Sequence, residues 1–207
     1  MTKDREYRNM AFEVRTSDGS EPSFLVEGYA STFDPYKLIE IDGEDYNERI
    51  EATAFDNADL SDVVYRIDHE GKVYARSSAG TIKLDIDEHG LHQVTDLSMT
   101  KAGREHFEEI KAGNYPQMSF AFTVGEDHYD ADTRTRVIDR IDKVFDISAV
   151  SFPANPTTEL HVRDYFNGAI EAEKAAEAER LAAEEARRRD LERREELKAK
   201  IQEVITK

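Results

Sequence analysis

The sequence predicts a mainly β fold of the α+β kind, with few helices in its body and a long charged helix at its end. Three observations carry this. From Glu6 to about Leu160, short runs of strand-forming residues recur between Gly, Pro, Asp and Ser turn segments. One stretch, Thr100 to Lys111, has helical spacing with a capping residue in front of it. After Gly168 there is neither Gly nor Pro, and Ala, Glu, Arg, Lys and Leu dominate. Short strands at regular intervals build an antiparallel barrel or sandwich.

Taken in order, Phe12–Arg15 and Phe24–Ala30 read as strands separated by turn chemistry. Val63–Ile67 is a further apolar run. Thr81–Ile86 alternates, and Asp87-Glu88-His89-Gly90 turns the chain into Leu91–Val94. Thr100 caps a helix in which Phe107 and Ile110 share a face, and Gly113 follows its end. A strand through Ser119 comes next, then a polar hairpin tip at Glu126–Thr133 and a strand pair around Arg136–Ile141 and Lys143–Val150. Pro153 and Pro156 stop the last strand. The domain reading is a body over 1–165 and a helical tail over 166–207.

In the tail, Glu184 precedes Arg187 and Arg188, Glu185 precedes Arg189, and Glu196 precedes Lys200. Its apolar positions, Leu181, Leu191, Leu197, Ile201 and Val204, keep no heptad. A solvated helix is expected, self-associating weakly and only near Leu197–Ile205. It serves as a spacer or as an arm that recruits the chain into an assembly.

Composition excludes several functions. The chain of 207 residues has no cysteine, so disulfides, thiol catalysis and Cys-based zinc sites are ruled out. The net charge of −17 is uneven: residues 1–168 hold 34 acidic and 18 basic side chains, whereas 169–207 hold 11 and 10. Such a body repels a phosphate backbone, so no nucleic-acid partner is expected. No apolar run reaches the length of a membrane span, and the charged start lacks a secretory pattern. A soluble cytoplasmic protein is the expectation.

The candidate chemistry starts at Gly113-Asn114-Tyr115-Pro116-Gln117-Met118-Ser119-Phe120-Ala121-Phe122. Met118, Phe120 and Phe122 alternate, so one strand face is buried and Ser119 shares the other with Ala121. A small exposed hydroxyl between bulky anchors suits a rigidly held nucleophile, and equally an ordinary strand serine. Of six histidines, His69 stands apart because it ends an apolar strand, where a side chain is both rigid and accessible. His89 and His92 flank a hairpin turn, His106 lies on the polar part of a helix, His128 at a hairpin tip, and His161 after the last prolines. Asp146 interrupts the apolar strand Val144–Val150, where a carboxylate needs a partner. A histidine N–H would serve, as would the wet face of a half-exposed strand.

At these residues the chain resembles the prohead maturation proteases of tailed bacteriophages, relatives of the herpesvirus assemblins. The resemblance spans about Glu27 to Pro156. It includes Gly28-Tyr29-Ala30-Ser31-Thr32-Phe33, Tyr46-Asn47-Glu48-Arg49-Ile50 with Ala54-Phe55, Asp68-His69-Glu70 and Ala75-Arg76-Ser77-Ser78-Ala79-Gly80-Thr81. It continues through Gly90-Leu91, Gly113 and Met118-Ser119-Phe120 to Asp146-Ile147-Ser148-Ala149-Val150-Ser151-Phe152-Pro153-Ala154-Asn155-Pro156. The resemblance implies a herpesvirus-protease-like closed antiparallel barrel. It makes Ser119 the nucleophile, His69 the general base and Asp146 the third member of a serine endopeptidase triad. Many relatives have Glu at the last position. It further implies cleavage of the scaffold, or of a scaffolding extension of the major capsid protein, and of the enzyme itself. The setting would be the procapsid in the host cytoplasm, with no cofactor, and the assemblin relatives suggest a homodimer.

Two rivals stand beside this reading. In one, the acidic body and helical arm form a non-enzymatic scaffold or assembly chaperone. In the other, Asp127, His128, Asp130 and Asp132 assist a metal-dependent hydrolysis, although no Gly or closing Glu follows as a calcium loop requires.

Overall fold

The computed structural model describes residues 5–11, 24–151 and 156–205. In chain order the strands are β1 (Glu6–Ala11), β2 (Leu25–Thr32), β3 (Tyr36–Ile41), β4 (Glu44–Ile50), β5 (Val64–Ile67), β6 (Glu70–Arg76), β7 (Ile82–Ile86), β8 (Gly90–Asp96), β9 (Gln117–Asp130) and β10 (Thr135–Val150). The helices are α1 (Lys101–Lys111) and α2 (Pro156–Ile205), and a 3-10 turn covers Ser77–Ala79. A mostly β body with few helices and a long C-terminal helix is therefore what the chain forms. The expected strand Phe12–Arg15 and Pro153 lie outside the described residues.

Among the described residues the strands do not close into the expected antiparallel barrel. The described strands make two sheets, one running β1-β9-β10-β4-β3 with β5 and β6 branching from β10, the other β2-β8-β7. The cause is the length of β10, sixteen residues. Its first part takes β4 alongside, and its last part takes β5, both in parallel. A strand that serves two neighbours in succession branches the sheet instead of closing it. Both sheets feed one hydrophobic core, with Val26, Ala30 and Leu91 from the smaller and Met118, Phe120, Phe122 and Ile147 from the larger.

Other boundaries move as well. The strand pair expected over 136–150 is one strand with several bulges, and the polar hairpin tip shrinks to the turn after Asp130, where Arg134 has φ 49°. Pro156 does not merely end a strand; it opens α2, a position where its missing N–H costs no hydrogen bond. The β3–β4 hairpin, absent from the sequence reading, turns on Asp42-Gly43, both at positive φ. By contrast, α1 starts at Thr100 as expected, whose Oγ1 accepts from Gly103 N at 2.9 Å. The Asp87–Gly90 turn also forms, with Asp87 Oδ1 accepting from the His89 and Gly90 amides.

The chain divides into two compact units, Met1–Arg163 and Asp164–Lys207. The first contains every described strand and α1. The second is helical throughout its described part, and each residue from Glu171 to Gln202 is exposed. No helix among the described residues is long and apolar enough to cross a membrane.

Candidate active site

Ser119 lies near the start of β9, which is flanked by β1 on one side and β10 on the other. Its cross-strand neighbour on β10 is Ser148. Met118, Phe120 and Phe122 do fill the core, so Ser119 and Ala121 take the opposite face. That face is not open to solvent, however, and Ser119 has no exposed surface. The expected exposed hydroxyl is thus a buried one.

Asp146 reaches the same face through a bulge. Val144 pairs with Phe122 while Asp146 pairs with Ala121, so two β10 residues oppose one step of β9. Strict alternation from the core residue Val144 would send Asp146 into the core. The extra residue, Phe145, reverses the parity, and Asp146 and Ser148 face the side that holds Ser119.

His69 arrives from the other flank of β10. β5 runs parallel to β10 between Asp146 and Ala149, then turns into β6 through Asp68 and His69. Ile67 pairs with Glu70, and the two turn residues have φ 48° and 61°, the backbone of a tight two-residue hairpin. A strand end thus becomes a fixed pivot over β10.

These placements bring the three side chains into one hydrogen-bonded line. His69 Nδ1 lies 2.5 Å from Asp146 Oδ1, and His69 Nε2 lies 2.7 Å from Ser119 Oγ. An ionised carboxylate only accepts, so Nδ1 carries the proton and donates it to Asp146. Nε2 is then the acceptor for the serine hydroxyl. The imidazole side chain is 14% exposed and the Asp146 side chain is buried, so the line runs from a partly open histidine into a buried acid.

Further residues support this line and were not singled out as site residues from sequence. Ser148 Oγ donates to Asp146 Oδ1 at 2.8 Å. The Tyr7 ring on β1 meets the His69 ring edge-on, with centroids 4.5 Å apart. Asp68 Oδ1 accepts from Ser151 N at 2.9 Å, which ties the turn to the end of β10. The signal for Ser148 was its spacing: two residues after Asp146, it shares that residue's face.

The remaining candidates lie elsewhere. His106 is not on a polar surface; it is buried among the rings of Tyr65, Tyr74 and Tyr115, and burial pushes its imidazole down from the usual range. His89 and His92 pack against Tyr29. His128 pairs with Asp139 at 2.7 Å, which raises it, while Asp127 binds Arg136 and Asp130 holds Thr133. Among the described residues, no group of three or more His, Asp and Glu is placed to share a metal ion. The side chain of His161 lies outside the described residues.

The family model for the caudovirus prohead serine protease matches residues 10–170, which include all three residues of the hydrogen-bonded line. No curated protein and no solved structure shows significant similarity to the chain.

Proposed function

Since the chain belongs to the caudovirus prohead serine protease family, we propose that it is the endopeptidase of capsid maturation and that Ser119, His69 and Asp146 are its catalytic residues. Membership implies a serine protease that acts in the procapsid and meets capsid or scaffold proteins. The observation that carries the residue assignment is the line from Ser119 Oγ to His69 Nε2 and from His69 Nδ1 to Asp146 Oδ1.

In this reading Ser119 Oγ attacks the scissile carbonyl while His69 Nε2 takes its proton. Asp146 holds the imidazole in the tautomer that can accept and stabilises the imidazolium formed. The protonated His69 then donates to the leaving amine, and water, deprotonated by the same nitrogen, releases the acyl group. Because Ser119 has no exposed surface, a peptide carbonyl reaches its oxygen only when the groups covering it shift. The substrate is the scaffold, either a separate protein or an N-terminal extension of the major capsid protein, and the enzyme also cuts itself. The protease activity resides in residues 1–165, and residues 166–207 form a tail outside it.

The test is Ser119→Ala in the full chain, co-expressed with its capsid protein. Scaffold processing is expected to stop while the variant remains folded, because only one buried hydroxyl is lost. Processing at an unchanged rate would sink the assignment.

A further inference from the structure

We propose that Ser148 is a positioning residue for the reaction: its hydroxyl pins the Asp146 carboxylate in the orientation that meets His69. The inference rests on the catalytic reading above and extends it to a residue that acts through Asp146.

Ser148 and Asp146 are both buried, at 0% and 4% exposure. One oxygen, Asp146 Oδ1, receives two donors: His69 Nδ1 at 2.5 Å and Ser148 Oγ at 2.8 Å. The torsion that turns an aspartate carboxylate is broad, so a single donor leaves its plane loosely set. A second donor from its own strand removes that freedom. A buried anion also needs its hydrogen bonds, and the serine supplies one that does not depend on the state of the histidine.

The backbone makes this donor dependable. Ser148 stands opposite Ser119 in the β9–β10 ladder, and the bulge at Phe145 turns Asp146 and Ser148 to that same side. Anchor and nucleophile are therefore carried by adjacent strands in fixed register. Movement of a catalytic group by about 1 Å can cost on the order of a hundredfold in rate. Ser148 is placed to prevent movement of that kind.

The experiment compares full-length wild type, Ser148→Ala, Ser148→Thr and Ser119→Ala for covalent labelling by a fluorophosphonate probe. The maximal labelling rate is separated from probe affinity by varying probe concentration. Ser148→Ala is expected to lower the maximal rate by about ten- to a hundredfold, with probe affinity within about twofold of wild type. Ser148→Thr, which keeps the hydroxyl, is expected to recover most of the rate. The low-field proton resonance of the His69–Asp146 hydrogen bond should be sharp in wild type and Ser148→Thr, and broadened or lost in Ser148→Ala. If the Ala and Thr variants label at the same rate, the hydroxyl is not what counts and the inference is overturned. A slow Ser148→Ala with an unchanged resonance overturns it too. Full labelling of Ser119→Ala would instead remove the catalytic reading and this inference with it. A silent Ser119→Ala beside a Ser148→Ala that labels like wild type removes only the role of Ser148.

Discussion

His69 occupies a backbone conformation, φ 61°, that residues with a side chain seldom adopt, and Asp68 before it sits at φ 48°. Each such residue costs on the order of 1–3 kcal/mol and persists only where its surroundings hold it. Asp68 supplies the hold. Its amide donates to Ala149 O at 3.0 Å, and its carboxylate accepts from the amide and hydroxyl of Ser151. Asp68→Ala removes the side-chain anchor and a residue type that tolerates positive φ. We expect its labelling rate to fall about tenfold and its melting temperature to drop by a few degrees. Asp68→Asn keeps an acceptor oxygen and the same tolerance, and should stay within about threefold of wild type. Equal behaviour of the two variants, read by thermal unfolding and probe labelling, would refute the clamp. Ser119, His69 and Asp146 stood out in the sequence as polar residues at an apolar strand or its end. Only the family resemblance joined them, and the structure brings them within hydrogen-bond distance. The burial of Ser119 and the use of Ser148 were not legible in the sequence. Both depend on which strands pair and on the parity change at Phe145, which the linear pattern does not display.

At the scale of elements, β1 brings two kinds of residue to the larger sheet. Tyr7 packs on His69, while its neighbours Glu6 and Arg8 enter a buried ionic cluster with Glu48 and Arg136. Tyr36 also donates to Glu48. The alternation of the strand separates the two roles. Buried ion pairs add little net stability, but losing one partner strands the other, so the cluster specifies how β1 docks. Burial alone would raise the Glu6 carboxyl; the hydrogen bond from Arg136 and the charges of Arg8 and Arg136 outweigh it and lower it from 4.5 to about 2. A depressed folded value means that Glu6 contributes stability above the unfolded value, lost as pH falls from about 4.5 toward 2. Glu6→Gln should therefore be less stable than wild type at neutral pH, and the gap should close across that window. A gap in denaturant midpoint that stays constant with pH would contradict the pairing. The same cluster explains why β4 escaped the sequence reading. Glu48 is wholly buried yet charged, and a charge satisfied by residues far along the chain breaks the apolar alternation that marks a strand.

On the scale of the whole molecule, the question is what the exposed part of α2 does. Buried side chains in its described part end with Phe166, and Glu171–Gln202 is exposed without interruption. Ion pairs between residues three or four apart, such as Arg180–Glu177 and Arg194–Asp190, support the helix locally. Each contributes only a few tenths of a kcal/mol, so together with high helix propensity they keep the segment helical without a packed face. Leu181, Leu191, Leu197 and Ile201 are all half or more exposed and too irregularly spaced for a coiled-coil seam. A helix with this pattern contributes little to a folded core, which directs attention to what it presents to other molecules. Truncation after Gly168 keeps Val162 and Phe166, the buried residues in the described part of α2, and removes the exposed run Glu171–Gln202. We expect the truncated chain to retain its melting temperature and its fluorophosphonate labelling rate within about twofold of the full chain. Its incorporation into procapsids, measured by co-sedimentation after co-expression with the capsid protein, should fall several-fold. Normal incorporation would make the helix a spacer, and a loss of labelling would mean that the exposed segment supports the catalytic unit after all.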